Sequence, residues 1–344
     1  MTAIPPGERR IPSLDSLRGV AILMVLGGHL VPPPIEALPI GPVFAAVARG
    51  GVILFFLLSG YLIFRNIQRQ AIPVFLLRRL FKILPSYWLN LACILALNWW
   101  LARGEPLSGL GYLANVLMIS DVTHNAVSGV YWTVLIEIKF YLFIALQYGL
   151  LRARALPAVV GGLLALSLAL LAIHGRGSLF LSCFPIFYVG IYVRRAEQAN
   201  WREPSLYALA LVTLAVATAM ALTLPDFPVW SAAYLILGTG AFVLFLRRRM
   251  GQSWLGFIGA TSYNNYLYHA LIWGLVLEII GIYAPALLGI PGVAIAVAVS
   301  TASAVLLYWL VEQPLVRFGR RYETAILGFT RIGLAPEISG PSVS

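Results

Sequence analysis

Apolar residues in this chain form runs of about 20 that recur from one end of the sequence to the other, separated by short polar or basic stretches. A run of that length is what an α-helix needs to cross the hydrocarbon core of a bilayer. The pattern therefore predicts an all-α integral membrane protein, a bundle of about ten transmembrane helices. The predicted spans are residues 16–31, 50–65, 79–102, 130–150, 156–174, 178–193, 204–223, 228–246, 261–283 and 289–311.

Basic residues are distributed unevenly among the loops between these spans. With the amino terminus in the cytoplasm, the outer loops hold only Arg49, Arg103 and Arg176, and the clustered cations of the other loops all lie on the cytoplasmic side. The positive-inside rule requires this asymmetry, which predicts that both the amino and carboxyl termini are cytoplasmic. The formal net charge of +11 is thus explained by topology and by contact with anionic membrane lipids, and it does not indicate binding to nucleic acid.

Composition supports one membrane domain. Hydrophobic residues make up 60% of the chain and charged residues 11%, whereas soluble domains carry about 25% charged residues. The proline-rich stretch after the first span has no small-residue cleavage site, so we expect that span to be retained. We predict a single transmembrane domain over residues 1–321 and a weakly ordered cytoplasmic tail over residues 322–344. Cys93 and Cys183 lie in apolar runs and indicate neither a disulfide framework nor a metal site.

The stretch LDSLRGVAILMVLGGH places an arginine and a histidine eleven residues apart in the first predicted span. On a helix, Arg18 and His29 share one face, roughly 16 Å apart along the axis. Ionisable side chains are costly inside a membrane, so a functional role is their first interpretation. A cation near the membrane surface and a titratable imidazole at depth can hold an anionic carrier at one end and react at the other.

Two further ionisable residues lie inside predicted spans, Glu137 in YWTVLIEIKFYLF and His269 in SYNNYLYHALI. Each also has a structural interpretation, Glu137 as an ion-pair partner in helix packing and His269 as a buried polar group with satisfied hydrogen bonds. Lys139 follows Glu137 by two residues and points away from it on a helix. We expect Lys139 and Glu278 to be paired or snorkelling structural groups.

A cluster of cations opens the third span, in FLLRRLFKILPSYW. Arg79 and Lys82 are three residues apart and share a helix face, and Arg78 is adjacent. Phosphate recognition uses grouped cationic donors of this kind. A basic collar is also ordinary at the end of a membrane span, so the cluster alone leaves both interpretations open.

Together these segments resemble the acyltransferase 3 family of integral-membrane O-acyltransferases. The family's opening motif is an arginine, ten residues and a histidine, and Arg18 and His29 match it. The likeness continues in the family's order, over about residues 11–321, through GVILFFLLSGYLI, RRLFKILPSYW, YWTVLIEIKFYLF, SYNNYLYHALI and VEQPLVRFGRR. The third of these segments departs from the pattern at Thr133 and Lys139, where a serine and a second polar or acidic residue are expected.

The resemblance implies a multi-pass protein of the cytoplasmic (inner) membrane that moves acyl groups, mostly acetyl from acetyl-CoA, onto hydroxyls of cell-envelope or exported carbohydrates. It implies Arg18 and His29 as essential, Arg79 with position 82 as the paired-arginine motif on the CoA side, and Glu137 as the motif acid. Lys82 stands where the family usually has arginine, so the charge is preserved but the guanidinium fork is not. The implied partners are acyl-CoA, a carbohydrate acceptor and membrane lipids, and no metal is expected.

The expected mechanism places the CoA phosphates at the cytoplasmic cations, which are Arg18, Arg78, Arg79 and Lys82. The pantetheine arm then runs along the first helix to His29, which acts as general base on the acceptor hydroxyl or transiently accepts the acyl group. Glu137 orients or charge-balances His29, or binds the acceptor. The predicted substrate-binding residues are Asp15, Ser59, Tyr61 and His269.

A proton-coupled transporter or flippase of a small or glycolipid substrate is the alternative. In that case the buried histidines and the glutamate form a proton relay. The sequence shows no inverted repeat, although transporter folds are commonly built from such repeats. The basic cluster beside the third span also favours the acyltransferase.

Overall fold

The computed structural model describes residues 11–29, 41–102, 107–123, 125–150, 156–174, 179–222 and 228–323. Over these residues the chain is helical and contains no strand. Its first part comprises α1 (Pro12–His29), α2 (Gly41–Ile67), α3 (Ile72–Trp100), the short helices α4 (Gly109–Val116) and α5 (Ser120–Thr123), and α6 (Tyr131–Leu150). Its middle part comprises α7 (Leu156–His174), α8 (Leu179–Gln198), α9 (Pro204–Ala221) and α10 (Pro228–Arg247). Its last part comprises α11 (Ser253–Ala260), α12 (Ser262–Tyr283), a 3₁₀ turn (Pro285–Leu287), α13 (Ile290–Leu307), a π-helical turn (Tyr308–Glu312) and α14 (Gln313–Arg320).

Each predicted span overlaps one of the long helices. In the described part of the chain, six helices are long and apolar enough to cross a membrane. They are Ala46–Ile67, Ile72–Trp100, Pro204–Ala221, Val229–Arg247, Ser262–Tyr283 and Ile290–Arg320. The all-α architecture with several candidate spans is confirmed, while the count of ten and the side on which the termini lie stay predictions. The predicted weakly ordered tail lies outside the described residues apart from Tyr322 and Glu323.

Helix α2 is the most enclosed of the six candidate spans. In its most apolar stretch 78% of the residues are buried inside the protein, against 22–33% in the other five. Helices α1, α8 and α10 pack against it, and α11 packs against α1. A helix that is surrounded in this way has little surface left for lipid, so most of its side chains point into helix interfaces or cavities.

Glycines bring α2 and α8 into backbone contact. Gly60 of α2 faces the backbone of Phe187, and Gly190 of α8 faces the backbone of Leu57. A methyl group at either glycine would overlap a carbonyl group of the other helix. Small residues serve the same purpose between membrane helices in general. The contact holds the end of α2, with Ser59, in a fixed place in the bundle.

Tyrosine side chains join α3 and α12. The Tyr263 hydroxyl donates to the carbonyl of Ile83 at 2.8 Å, and the Tyr268 hydroxyl donates to the carbonyl of Ser86 at 3.0 Å. Both carbonyls lie close to Pro85, which removes one bond from the hydrogen-bond ladder of α3. These two bonds hold α3 and α12 side by side.

The last described segment folds back onto α3. The π-helical turn buries Glu312 to 4% exposure, and its carboxylate accepts a hydrogen bond from the Asn264 amide at 2.7 Å. Turns of this kind are rare and often occur at functional sites. Helix α14 then packs against α3, with the rings of Phe318 and Phe81 6.1 Å apart between centroids.

The cation that follows Glu137 by two residues has a structural partner. Lys139 of α6 forms an ion pair with Asp121 of α5. The interpretation of Lys139 as a paired group is therefore confirmed. The pair ties α6 to the short helix that precedes it.

Candidate active site

A narrow cavity, which we call the inner chamber, lies among α1, α2, α3, α6, α11 and α12 and has a volume of about 80 Å³. Its apolar wall includes Val52, Phe55, Phe56, Ile83 and Val134. Its polar lining includes Arg18, Ser59, Lys82, Thr133, Glu137, Tyr141, Tyr263 and Tyr266. Four of the residues that the sequence predicts for the site, on four different helices, thus meet in one cavity.

Glu137 is held in the inner chamber by hydroxyl groups. Ser59 of α2 donates to its Oε1 at 2.6 Å, and Tyr141, one helical turn further along α6, donates to the same oxygen. No described cation lies within ion-pair distance of this carboxylate. The structure therefore gives Glu137 partners other than His29. Its second oxygen, Oε2, accepts no hydrogen bond from a described residue and can accept one from a ligand in the chamber.

A second cavity of about 300 Å³, which we call the vestibule, adjoins the inner chamber. The two cavities share Arg18, Lys82 and Ala260 in their walls. The cationic residues that line the vestibule are Arg18, Arg65, Arg78, Arg79, Lys82 and Arg320, and its acidic residues are Asp15 and Glu312. Such an excess of positive charge attracts an anionic ligand.

Arg18 and Lys82 stand where the vestibule meets the inner chamber. No described carboxylate lies within ion-pair distance of either cation. Partly buried cations without a paired carboxylate are uncommon, because desolvation of the charge is left uncompensated. The junction is therefore arranged to hold a negatively charged group.

The three cations of the predicted phosphate cluster differ in what they contact. Arg78 forms a two-pronged ion pair with Glu323, with Nε–Oε1 and Nη2–Oε2 distances of 2.7 and 2.6 Å. The Arg79 guanidinium lies 5.6 Å from the ring centroids of both Phe75 and Tyr141. Its Nε is buried and has no hydrogen-bond partner, and a buried donor left unpaired costs about 1–3 kcal/mol. An anionic oxygen in the vestibule would satisfy it.

His29 lies away from these two cavities. It is the last residue of α1, it is exposed, and it is absent from the lining of both the inner chamber and the vestibule. Its ring lies against that of His269 of α12, with centroids 5.3 Å apart and planes 23° apart. His269 is 1% exposed, and its Nδ1 lies 2.6 Å from the carbonyl oxygen of Tyr266. Because a carbonyl only accepts hydrogen bonds, Nδ1 of His269 carries the proton.

The side chains of Phe55, Thr133 and Tyr266, which we call the partition, contact one another in the wall of the inner chamber. Thr133 donates to the Tyr266 hydroxyl at 2.7 Å, and that hydroxyl donates to the carbonyl of Val130 at 3.2 Å. The ring of Phe55 meets that of Tyr266 edge-on, with centroids 6.3 Å apart. The Tyr266 ring also lies 5.8 Å from that of His269. The partition therefore lines the chamber, and through Tyr266 it also contacts His269.

Tyr61 lies in neither cavity, although the sequence predicts it as substrate-binding. It is fully buried, and its hydroxyl donates to the carboxylate of Glu197. Arg194 forms an ion pair with the same carboxylate and lies 5.5 Å from the centroid of the Tyr61 ring. Of the other predicted substrate-binding residues, Ser59 lines the inner chamber and Asp15 lines the vestibule, whereas His269 lines neither cavity and lies against the ring of His29. No contact of Tyr61 supports a role in substrate binding.

Some site residues are not singled out by the sequence pattern, and Tyr141, which lines the inner chamber and binds Glu137, is one of them. Glu312 lines the vestibule, and Tyr266 belongs to the partition. Glu312 carries a usable signal, since it is an acid at the end of a long apolar run in VEQPLVRFGRR. Tyr266 carries none, because tyrosines are numerous in this chain and only packing shows which of them borders a cavity.

Comparison with known proteins identifies the family of this chain. The chain matches the acyltransferase 3 family model, described as an acyltransferase domain, over residues 11–309 of 344. The chain belongs to the acyltransferase 3 family. No curated protein and no solved structure matches it. Membership confirms the resemblance of the sequence motifs and identifies the protein as a multi-pass membrane acyltransferase.

Proposed function

We propose that this acyltransferase moves an acyl group, acetyl in the first place, from acyl-CoA to a hydroxyl of a cell-envelope or exported carbohydrate in the inner membrane. The observation that carries the proposal is the pair of adjoining cavities. The cation-rich vestibule fits a polyanionic donor, and the inner chamber beyond it presents a carboxylate to an acceptor hydroxyl.

The donor is assigned to the vestibule. Arginine and lysine side chains are the usual partners of phosphate groups, and the CoA moiety carries several phosphates. Arg79 has an unpaired buried Nε, and Arg18 and Lys82 have no paired carboxylate among the described residues. The small volume of the inner chamber, about 80 Å³, favours a short acyl group at the end of the pantetheine arm.

The acceptor is assigned to the inner chamber. The Oε2 atom of Glu137 is available to accept a hydrogen bond from a sugar hydroxyl, while Ser59 and Tyr141 keep Oε1 in place. His29 is the proposed general base or transient acyl acceptor, as the family motif implies. Since His29 does not line the chamber, the reaction requires a rearrangement that brings the two together. The partition lines the chamber and contacts His269, so its side chains are the ones that we expect to move, as gating residues do in many enzymes.

The test measures release of the CoA thiol by purified protein in nanodiscs, with acetyl-CoA and a panel of envelope sugars. Cys93 is an exposed thiol, so all proteins carry Cys93→Ala to lower the background. We expect His29→Ala to lower turnover by about 100-fold or more, with acetyl-CoA binding and thermal stability unchanged.

Two results would contradict the proposal in different ways. Full turnover by a stable His29→Ala protein would remove His29 from the mechanism but leave the acyltransferase. Failure of the wild-type protein to bind acetyl-CoA or to release thiol would remove acyl-CoA as the donor. Proton-coupled uptake without acyl transfer would then favour the transporter, for which the described part of the chain offers no separate observation.

A further inference from the structure

His269 is one of the most firmly held side chains in the described part of the chain. It is 1% exposed, and its Nδ1–H donates to the carbonyl of Tyr266 at 2.6 Å. Trp273 meets its ring edge-on at a centroid distance of 5.8 Å. One hydrogen bond and two neighbouring aromatic rings therefore fix both the position and the tautomer of this imidazole.

His29 has the opposite character. It is exposed at the end of α1 and forms no hydrogen bond with a described residue. An exposed side chain at a helix end samples several rotamers, and restricting it has an entropic cost. Among the described residues, the ring contact with His269, at a centroid distance of 5.3 Å and an angle of 23°, is the interaction that selects one orientation.

Because the two rings are nearly parallel, both nitrogens of His29 remain available for hydrogen bonding or for reaction. The lone pair and the N–H of an imidazole lie in the ring plane, so they point past His269 and not into its face. The structure has no hydrogen bond between these two described side chains. Support from His269 thus orients the His29 ring without occupying either of its nitrogens.

We propose that His269 is a positioning residue, a fixed aromatic support that orients the His29 ring toward the acceptor hydroxyl. The proposal rests on the proposed function, in which His29 is the reacting group. It replaces the substrate-binding role predicted for His269. A residue with 1% exposure that lines neither cavity has no surface to offer to substrate.

The same geometry argues against a proton relay between the two histidines. A relay requires an in-plane N–H···N bond between the two rings, and rings that are stacked with planes 23° apart do not form one. What His269 supplies to His29 is therefore a ring surface. Misplacement of a reacting group by about 1 Å can lower turnover by about 100-fold, so support of this kind has kinetic consequences.

The test compares His269→Phe with His269→Ala. Phenylalanine keeps a flat ring and removes both nitrogens, while the Tyr266 carbonyl lies inside α12 and keeps its helical hydrogen bond. We expect His269→Ala to lower kcat by roughly 10- to 100-fold with the KM for acetyl-CoA unchanged. We expect His269→Phe to recover most of that loss.

Three kinetic results would overturn the proposal. Equal loss in His269→Phe and His269→Ala would show that a nitrogen is required. Wild-type kcat in His269→Ala would show that no support is required. A higher KM for acetyl-CoA with kcat unchanged would show a role in donor binding.

A second measurement does not depend on turnover. It tests the proposal if phenylalanine is too large for the site, and also if the wild-type protein shows no activity. The measurement is nuclear magnetic resonance of protein labelled on its histidine rings, which number four. The ring signal that is missing in His29→Ala is that of His29. We expect the His29 signal to shift and sharpen in His269→Ala, because the ring contact is gone and the side chain moves freely. Trp273→Leu removes the ring that contacts His269 edge-on. We expect this variant to change the His29 signal in the same direction by a smaller amount. An unchanged His29 signal in both variants would overturn the proposal, whereas failure of the proposed function would appear in acetyl-CoA binding and in the His29→Ala assay.

Discussion

Two hydroxyl side chains of α2 each donate a hydrogen bond to a glutamate of another helix, and the two glutamates differ in their surroundings. Ser59 donates to Glu137 at 2.6 Å in the wall of the inner chamber. Tyr61, two residues further along, donates to Glu197 in the interface with α8. The same bond thus occurs on both sides of one helix.

The two carboxylates differ in the partners that compensate their negative charge. Glu197 forms an ion pair with Arg194, whose guanidinium also lies against the Tyr61 ring, so the negative charge of this carboxylate is compensated. Glu137 has two hydroxyl donors on one oxygen and no described cation within ion-pair distance. A carboxylate paired with a cation stabilises a helix interface, whereas a carboxylate without a described cation that faces a cavity is open to a ligand.

The two carboxylates therefore predict opposite phenotypes when each is converted to an amide. Glu137→Gln should lower turnover by about 100-fold or more, because the charge that faces the acceptor is lost, and should leave stability close to that of the wild type. Glu197→Gln should leave turnover unchanged and lower the free energy of unfolding by about 1 kcal/mol. Thiol release and thermal unfolding of both proteins in nanodiscs measure the difference. Equal turnover in the two variants would break the comparison.

A cation from each region predicts a difference in donor binding, Lys82 in the wall that also holds Glu137 and Arg194 in the ion pair with Glu197. Lys82→Met should raise the dissociation constant of acetyl-CoA about ten-fold, the value of one hydrogen bond to a charged group. Lys82→Arg should restore most of the affinity, and Arg194→Met should not change it. Equilibrium dialysis at two salt concentrations checks the values, since the loss should shrink at high salt. A loss of affinity in Arg194→Met equal to that in Lys82→Met would contradict the assignment of the donor to the vestibule.

The two hydroxyls predict the smallest effects. Ser59→Ala should lower turnover about five-fold, because Tyr141 still holds the same oxygen of Glu137, and the loss is that of one hydrogen bond, about 1 kcal/mol. Tyr61→Phe should leave turnover unchanged and lower the free energy of unfolding by about 1 kcal/mol. Turnover and thermal unfolding distinguish the two variants. A drop in turnover in Tyr61→Phe without loss of stability would return Tyr61 to the active site.

Much of the fold is visible in the sequence because membrane insertion depends on local quantities. The length and apolarity of a segment decide whether it can span a bilayer, and the long helices overlap the predicted segments for this reason. The cation cluster is also visible, since Arg79 and Lys82 share a helix face by spacing alone. Both line the vestibule.

The partners of the charged residues are not visible in the same way. Glu137 is bound by Ser59 from a helix 78 residues earlier, and Arg78 is bound by Glu323 from a segment 245 residues later. Spacing in the sequence says nothing about such contacts, because they depend on how the helices pack. Glu312 meets Asn264 for the same reason, through a π-helical turn that no local pattern predicts.

What the sequence by itself determined is the class of protein, the family and the residues that carry charge into the membrane, because each follows from composition, local period or motif. What only the tertiary structure decided is which of those residues face a cavity. Ser59 and Tyr61 are two residues apart and were predicted to share a role, yet two residues correspond to about 200° around a helix. One side of α2 faces the inner chamber and the other faces α8, so packing placed Ser59 beside Glu137 and sealed Tyr61 beside Glu197.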